Sequence, residues 1–273
     1  MVATDIRKEA RESLKNKWVK AALIIFIQIL ITGLLTGIEK ALGDNSVLAA
    51  IISIIEVIIG IPLSFGMVAV FMKLKRNEEV NYFDFIKIGF DNFTRAWGLC
   101  FRTLLKMILP IICVILAIMI VTIMFTAGGI AGMAMKAGQQ ALGLVIIGII
   151  IYVIALAYAV IIGLKYALTI CIAYDNPDMS TKDVVEKSAE LMVGHRGDLF
   201  VLLLSFLGWA LLCYLPCVLA TACVLVPVLA IIFIVGAVCG VLCLGAYVQI
   251  ARICFYDDVL KLNSEKTTAE VQE

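Results

Sequence analysis

Glu56 is the residue in this sequence whose chemistry stands out most from its surroundings. It sits in Ile54-Ile55-Glu56-Val57-Ile58, within an apolar run that begins near residue 47. About nine helical residues at about 1.5 Å each put it roughly 13 Å into that run. A carboxylate so deep in hydrocarbon is costly unless paired, so it takes up a proton or faces other helices. One reading is a proton or cation site. The other is a neutral carboxyl hydrogen-bonded to a neighbouring helix. Lys165 lies too far along its own run to be the partner, about 24 residues or roughly 36 Å from the outer side, where a lysine snorkels to the inner surface. Gln28 is better placed. It lies roughly 13 Å from the inner side of a core about 30 Å thick, where a hairpin would bring it level with Glu56. The sequence therefore predicts an intramembrane polar pair, Gln28 with Glu56, and a protonated Glu56 at neutral pH.

Other chemistry-bearing residues form no constellation. Cys213 and Cys217 lie one turn apart, as do Cys239 and Cys243, and four thiols could hold a metal. Their counted depths differ, at roughly 21 and 27 Å for the first pair and about 9 and 3 Å for the second. The pairs are expected not to meet, and no metal site is predicted. Most of the nine cysteines lie in apolar runs, where a free thiol behaves as a small hydrophobe. His195, the single histidine, stands beside Arg196 in a turn and is expected to be solvated or to face headgroups. There is no phosphate-binding G-x-x-x-x-G-K-[ST], no H-E-x-x-H and no G-x-S-x-G. No catalytic residue and no cofactor are predicted, and the chain is expected not to be an enzyme.

The elements that carry these residues are apolar. Hydrophobic residues make up 63 % of the 273-residue chain and charged residues 16 %, with a mean hydropathy of +1.08. Six runs are long enough to cross a bilayer, at about 19–41, 47–72, 103–127, 141–174, 199–222 and 225–256. The fold class expected is an all-α polytopic membrane protein, a single membrane domain over 1–273. The first run is too long for a signal core and no A-x-A-like site follows it, so it reads as a true span. Lys and Arg gather on one side of the runs, and only Lys40 and Lys136 lie opposite. That asymmetry places both ends in the cytoplasm. The net charge of +1 gives no argument for a nucleic-acid partner.

Three polar segments on the basic side carry amphipathic helices. Ile6, Ala10, Leu14 and Trp18 recur every four residues in the first. In the second, Phe83, Ile86, Phe90, Phe93, Trp97 and Phe101 oppose a charged stripe. The third opens with a Ser180–Asp183 capping pattern. Such helices lie in the headgroup plane or extend the following span. Trp18, Trp97 and Lys165 are the expected membrane-interface anchors. The order of elements predicts a threefold repeat of amphipathic helix plus two-span hairpin. Pro62 and Pro110 should kink their spans. The Gly33–Gly37 and Gly236–Gly240 spacings suit close helix packing within the chain. The long fourth run tilts, breaks near Gly163 or projects into the cytoplasm.

The stretch Ser188-Ala189-Glu190-Leu191-Met192-Val193-Gly194-His195-Arg196, continuing to Gly208-Trp209, resembles the signature of the bacterial integral membrane family catalogued as domain of unknown function 975. The opening Leu14-Lys15-Asn16-Lys17-Trp18 and the Asp175-Asn176-Pro177 turn are similar to it as well. The resemblance implies a multi-span protein of a bacterial inner membrane and no reaction. The expected role is non-enzymatic, organising or assisting other membrane components, with the lipid bilayer and a membrane protein as partners. The alternative is a small-solute or proton-coupled transporter or channel using Glu56.

Overall fold

The computed structural model describes residues 3–43, 47–135, 138–222 and 227–270, side chains at 127–142, 144, 222 and 266–270 excepted. Every regular element among them is helical: α1 (Ala3–Ser13), α2 (Trp18–Leu42), α3 (Val47–Lys75), α4 (Asp84–Asp91), α5 (Phe93–Met135), α6 (Gly138–Lys165), α7 (Thr169–Asp175), α8 (Thr181–Leu191), α9 (Arg196–Ala222) and α10 (Pro227–Glu270). Six helical stretches are long and apolar enough to cross a membrane: Trp18–Leu42, Val47–Lys75, Phe93–Thr126, Val145–Asp175, Arg196–Thr221 and Pro227–Glu265. Large side chains such as Ile154 and Leu211 project outward, each 64 % exposed, as lipid-facing residues do.

The buried core sits at one end of the bundle, where the basic residues also gather. It is made of the last turns of the even-numbered spans: Leu63–Leu74 on α3, Leu168–Ala173 around α7, and Ala246–Val259 on α10. Onto these ends fold the three short amphipathic helices, α1 on α10, α4 on α3 and α8 on α7. Each short helix thus packs on the last span of the preceding repeat, and α1 packs on the last span of all. The order of elements that suggested a repeat closes into a ring. In α1 and the turn that follows it the four-residue spacing does what its period predicts, since Ile6, Ala10 and Leu14 are all buried. Asp5 in its first turn and Arg11 in its last oppose the helix dipole favourably.

Two glycines seat α4 against α3. A Cβ on Gly66 would collide with the Phe85 carbonyl oxygen, and one on Gly89 with the Pro62 carbonyl oxygen. The second amphipathic stripe is not one helix. Asn92 separates α4 from α5, its side-chain amide donating to the Ile88 carbonyl at 2.9 Å, and Trp97 and Phe101 ride on the first turns of α5. The fourth run breaks at 166–168, close to Gly163, into α6 and α7. The Ser180 hydroxyl caps α8 by accepting the Asp183 N–H at 3.2 Å. Gly33 and Gly37 meet nothing within 4 Å, so that pair is not a packing contact within the chain. Gly236 likewise meets nothing, whereas a Cβ at Gly240 would lie 3.1 Å from the Cys213 sulfur.

Pro62 sits inside α3, and Pro110 and Pro216 inside α5 and α9. Pro62 has no N–H for the Ile58 carbonyl four residues before it. The Trp97 indole N–H donates to that carbonyl at 3.4 Å. Trp97 is therefore tied to the proline-bent α3 as well as standing near the start of α5. Trp97→Phe keeps the ring and removes the donor. We expect it to lower thermal stability in detergent by about 1 kcal/mol, and a double variant with Pro62→Ala to recover most of that loss.

Candidate functional site

Glu56 is reached by α2, but not through Gln28. The Thr36 hydroxyl donates to Glu56 Oε1 at 2.9 Å. One turn further toward the connecting loop, the Ser53 hydroxyl donates to Glu39 Oε1 at 2.5 Å. These two contacts set the hairpin register, since three residues forward on α2 answer three back on α3. Gln28, eight residues before Thr36, falls level with Ser64, eight beyond Glu56, and the two side chains line one cavity. The expected Gln28–Glu56 pair is thus replaced by Thr36–Glu56. The depth count failed because α2 and α3, at 25 and 29 residues, are both longer than a core about 30 Å thick, so depths counted from opposite ends do not share one scale.

Gln28 instead joins a polar cluster beside the packed end. A cavity of about 160 Å³ is lined by Gln28, Ser64, Gln249 and Arg252 among apolar neighbours. Ser64, Ala167, Ile170 and Arg252 also line an adjoining cavity of about 360 Å³, which extends along α5 past Thr103 to Met107 and Ile111. The Arg252 guanidinium donates to the Ala167 carbonyl at 3.4 Å. No carboxylate lies within ion-pair distance of it among the described residues. Arg252 and Gln249 are site residues that sequence reasoning missed. Their signal was a Gln and an Arg three residues apart, one helical turn, in the run that carries Gln28's counterpart face.

Below this cavity the ring is fastened by charge. Lys75 at the end of α3 donates to Asp257 of α10 at 2.5 Å and lies 3.1 Å from Glu9 of α1. Its side chain is only 11 % exposed. Arg76 donates from Nη2 to both carboxylate oxygens of Asp175 at 2.7 and 2.9 Å, and the Tyr256 hydroxyl donates to the same carboxylate at 3.1 Å. Burial acts against the charge of Arg76 and is the largest single effect, but the Asp175 hydrogen bond together with the negative charges of Asp175, Asp257 and Glu78 outweighs it, and the pKa of the guanidinium is raised above its ordinary value. These five charged groups come from all three repeats and largely satisfy one another.

Basic residues at the start of odd-numbered spans cap the ends of the even ones. The Lys17 ammonium donates to the Leu74 carbonyl at 2.7 Å and to Asn77 at 2.5 Å. Desolvation, and then neighbouring Lys20, lower its pKa. Asn77 itself takes the left-handed conformation, with φ 62°, that closes the α3 terminus. Arg95 does the same for α7, donating to the carbonyls of Ala173 at 3.2 Å, Asn176 at 2.6 Å and Pro177. The two terminal guanidinium nitrogens divide the three carbonyls between them, a spread that the single nitrogen of a lysine does not reproduce. Arg95→Ala should cost about 2 kcal/mol in chemical denaturation, and Arg95→Lys should recover less than half of it.

The interface anchors have specific partners. Trp18 packs on Tyr247 with ring centroids 6.0 Å apart. The Lys165 ammonium lies 5.5 Å over the Tyr166 ring, and its carbonyl accepts the Ser188 hydroxyl at 3.3 Å. His195 is not solvated. Its side chain is 12 % exposed, with Nδ1 lying 3.4 Å from an Asp198 oxygen. The cysteine pairs are not kept apart by depth, because Cys213 and Cys243 line one cavity. Cys213 of α9 also approaches α10 closely, since a Cβ at Gly240 would lie 3.1 Å from its sulfur. Among the described residues no group of three His, Cys, Asp or Glu side chains could hold a metal.

The arrangement offers cavities and charge rather than an aligned nucleophile, base or metal set. No curated protein and no solved structure matches the chain. A family model does match, over residues 1–263: with its ring of helix ends and its six apolar spans, this chain belongs to the family described as Protein of unknown function (DUF975).

Proposed function

We propose that this protein is a non-enzymatic membrane-organising or accessory protein of a bacterial cytoplasmic membrane, with both termini in the cytoplasm. The observation that carries this reading is the ring. Ion pairs drawn from three repeats tie the span ends to one another and α1 to them, while α4 and α8 pack on the ends of α3 and α7. The result is a rigid basic platform above spans whose outer surfaces are apolar and free to meet other membrane components. The test is affinity copurification from native membranes, comparing the unaltered chain with Lys75→Ala. A partner set that is recovered with the intact ring and depleted with the variant supports the reading. Recovery of the same proteins with an unrelated six-span control contradicts it.

A second reading is transport of a small solute or of protons, and the cavity shared by Gln28, Gln249 and Arg252 favours it. In that reading Glu56 acts as the proton-linked carboxyl further along the same hairpin. Flux in liposomes that is abolished by both Arg252→Gln and Glu56→Gln would select transport over organisation.

A further inference from the structure

A third cavity, of about 540 Å³, lies where α1 crosses the α9–α10 hairpin. Its two ends differ in chemistry. At one end are Arg7 and Arg11, one turn apart on α1. The Arg7 Nε is buried without a hydrogen-bond partner, and no carboxylate lies within ion-pair distance of either guanidinium among the described residues. The helix is held over the cavity by Tyr247, whose hydroxyl donates to the Arg7 carbonyl at 3.0 Å. Tyr247 is itself wedged between Trp18 and Phe206, the latter edge-on with ring centroids 4.9 Å apart. Aromatic residues of this kind mark the level of the headgroups.

The other end is apolar. Trp209 and Leu212 on α9 form one wall, 53 % and 57 % exposed, and Leu244 on α10 the other. Gly240 and Cys213 line the cavity between these walls, where α9 and α10 approach closely. Two uncompensated guanidiniums at headgroup level, continuous with an apolar groove that opens to lipid, match a molecule with an anionic head and a hydrocarbon tail. Arginine pairs bind phosphate oxygens in fork geometry, and the volume falls in the range of ligand cavities, about 300–1,000 Å³.

We propose that this cavity binds an anionic phospholipid from the leaflet at the charged end of the bundle. Its phosphate lies between Arg7 and Arg11, and one acyl chain runs along the α9–α10 groove. The site stands apart from the ring contacts and from the Arg252 cavity, so it holds whether the protein organises or transports.

Native mass spectrometry of the full chain in detergent tests this with three probes: phosphatidylglycerol, phosphatidylcholine and inorganic phosphate. The expected result is a preference of about tenfold or more for phosphatidylglycerol over phosphatidylcholine, largely lost in the R7Q/R11Q double variant. The K8Q/K15Q double variant removes the same charge from exposed positions of α1 and its following turn, and should stay within about twofold of the unaltered protein. Equal losses in the two double variants would reduce the effect to general surface charge and overturn the site. Inorganic phosphate competing as well as the lipid would overturn the acyl-chain assignment. Should R7Q/R11Q fail to fold, the unaltered chain still decides. Phosphatidylglycerol brominated along its acyl chain, at low mole fraction, should quench Trp209 more than equally brominated phosphatidylcholine, and Trp209→Phe should remove that difference. Equal quenching by the two lipids would overturn the proposal.

Discussion

Replacing Gly66 with alanine lowers the stability of the folded bundle by about 3 kcal/mol, among the largest effects expected of any single methyl group in this chain. The new Cβ would fall on the Phe85 carbonyl oxygen, a backbone atom that no rotamer change can move aside. Relief requires α4 to lift off α3, and that opens the core around Phe85, which is fully buried. Gly89→Ala meets the Pro62 carbonyl from the other side and should act alike. The control is Gly33→Ala on α2, where nothing lies within 4 Å. There the change should fall within about 0.5 kcal/mol of neutral, since alanine is the better helix former. Thermal unfolding of the three variants in one detergent checks the contrast, and equal effects at Gly66 and Gly33 would refute the α3–α4 seat.

The second large effect belongs to Lys75. Lys75→Ala leaves Asp257 and Glu9 facing each other without the cation between them. Breaking a fully buried pair costs about 3–5 kcal/mol. Asp257 is 26 % and Glu9 39 % exposed, so water recovers part of that and about 2 kcal/mol is expected. Because the partners come from α1, α3 and α10, the loss should appear as loosening of the whole ring. A double-mutant cycle with Asp257→Ala separates the pair from the lysine. The two losses should fall short of additivity by about 1 kcal/mol, and strict additivity would mean the two residues do not interact.

What the sequence made legible was local. The four-residue recurrence of Ile6, Ala10 and Leu14 needs only helical period to be read, and so does the Ser180–Asp183 cap. The six apolar runs needed only length. What it concealed was register and distance. The partner of Glu56 depends on where the α2–α3 hairpin turns and on how far both helices overrun the hydrocarbon, and counting from the edge of an apolar run measures neither. Thr36, a small polar residue in a Leu- and Gly-rich stretch, gave no signal of its own. Lys75 and Asp257 stand 182 residues apart, and each reads locally as an ordinary charge flanking a span. Only the ring makes them neighbours. Arg252 was hidden in the same way, because an arginine near a span end satisfies the rule for basic flanks whether it faces headgroups or a cavity. The cysteines failed through the same miscounting, since a hairpin equalises depth about its turn whatever the nominal start of each run.

The ring closes through direct contact between α1, α3 and α10. Carbodiimide treatment of the intact protein in detergent joins an amine to a carboxylate only when the two touch. The structure predicts isopeptide bonds from Lys75 to Asp257 and to Glu9, 2.5 and 3.1 Å apart, found by mass spectrometry of the digested chain and absent in Lys75→Arg. Recovery of the local Lys261–Asp258 product alone, a pair 3.9 Å apart within one helix, would contradict the closed ring.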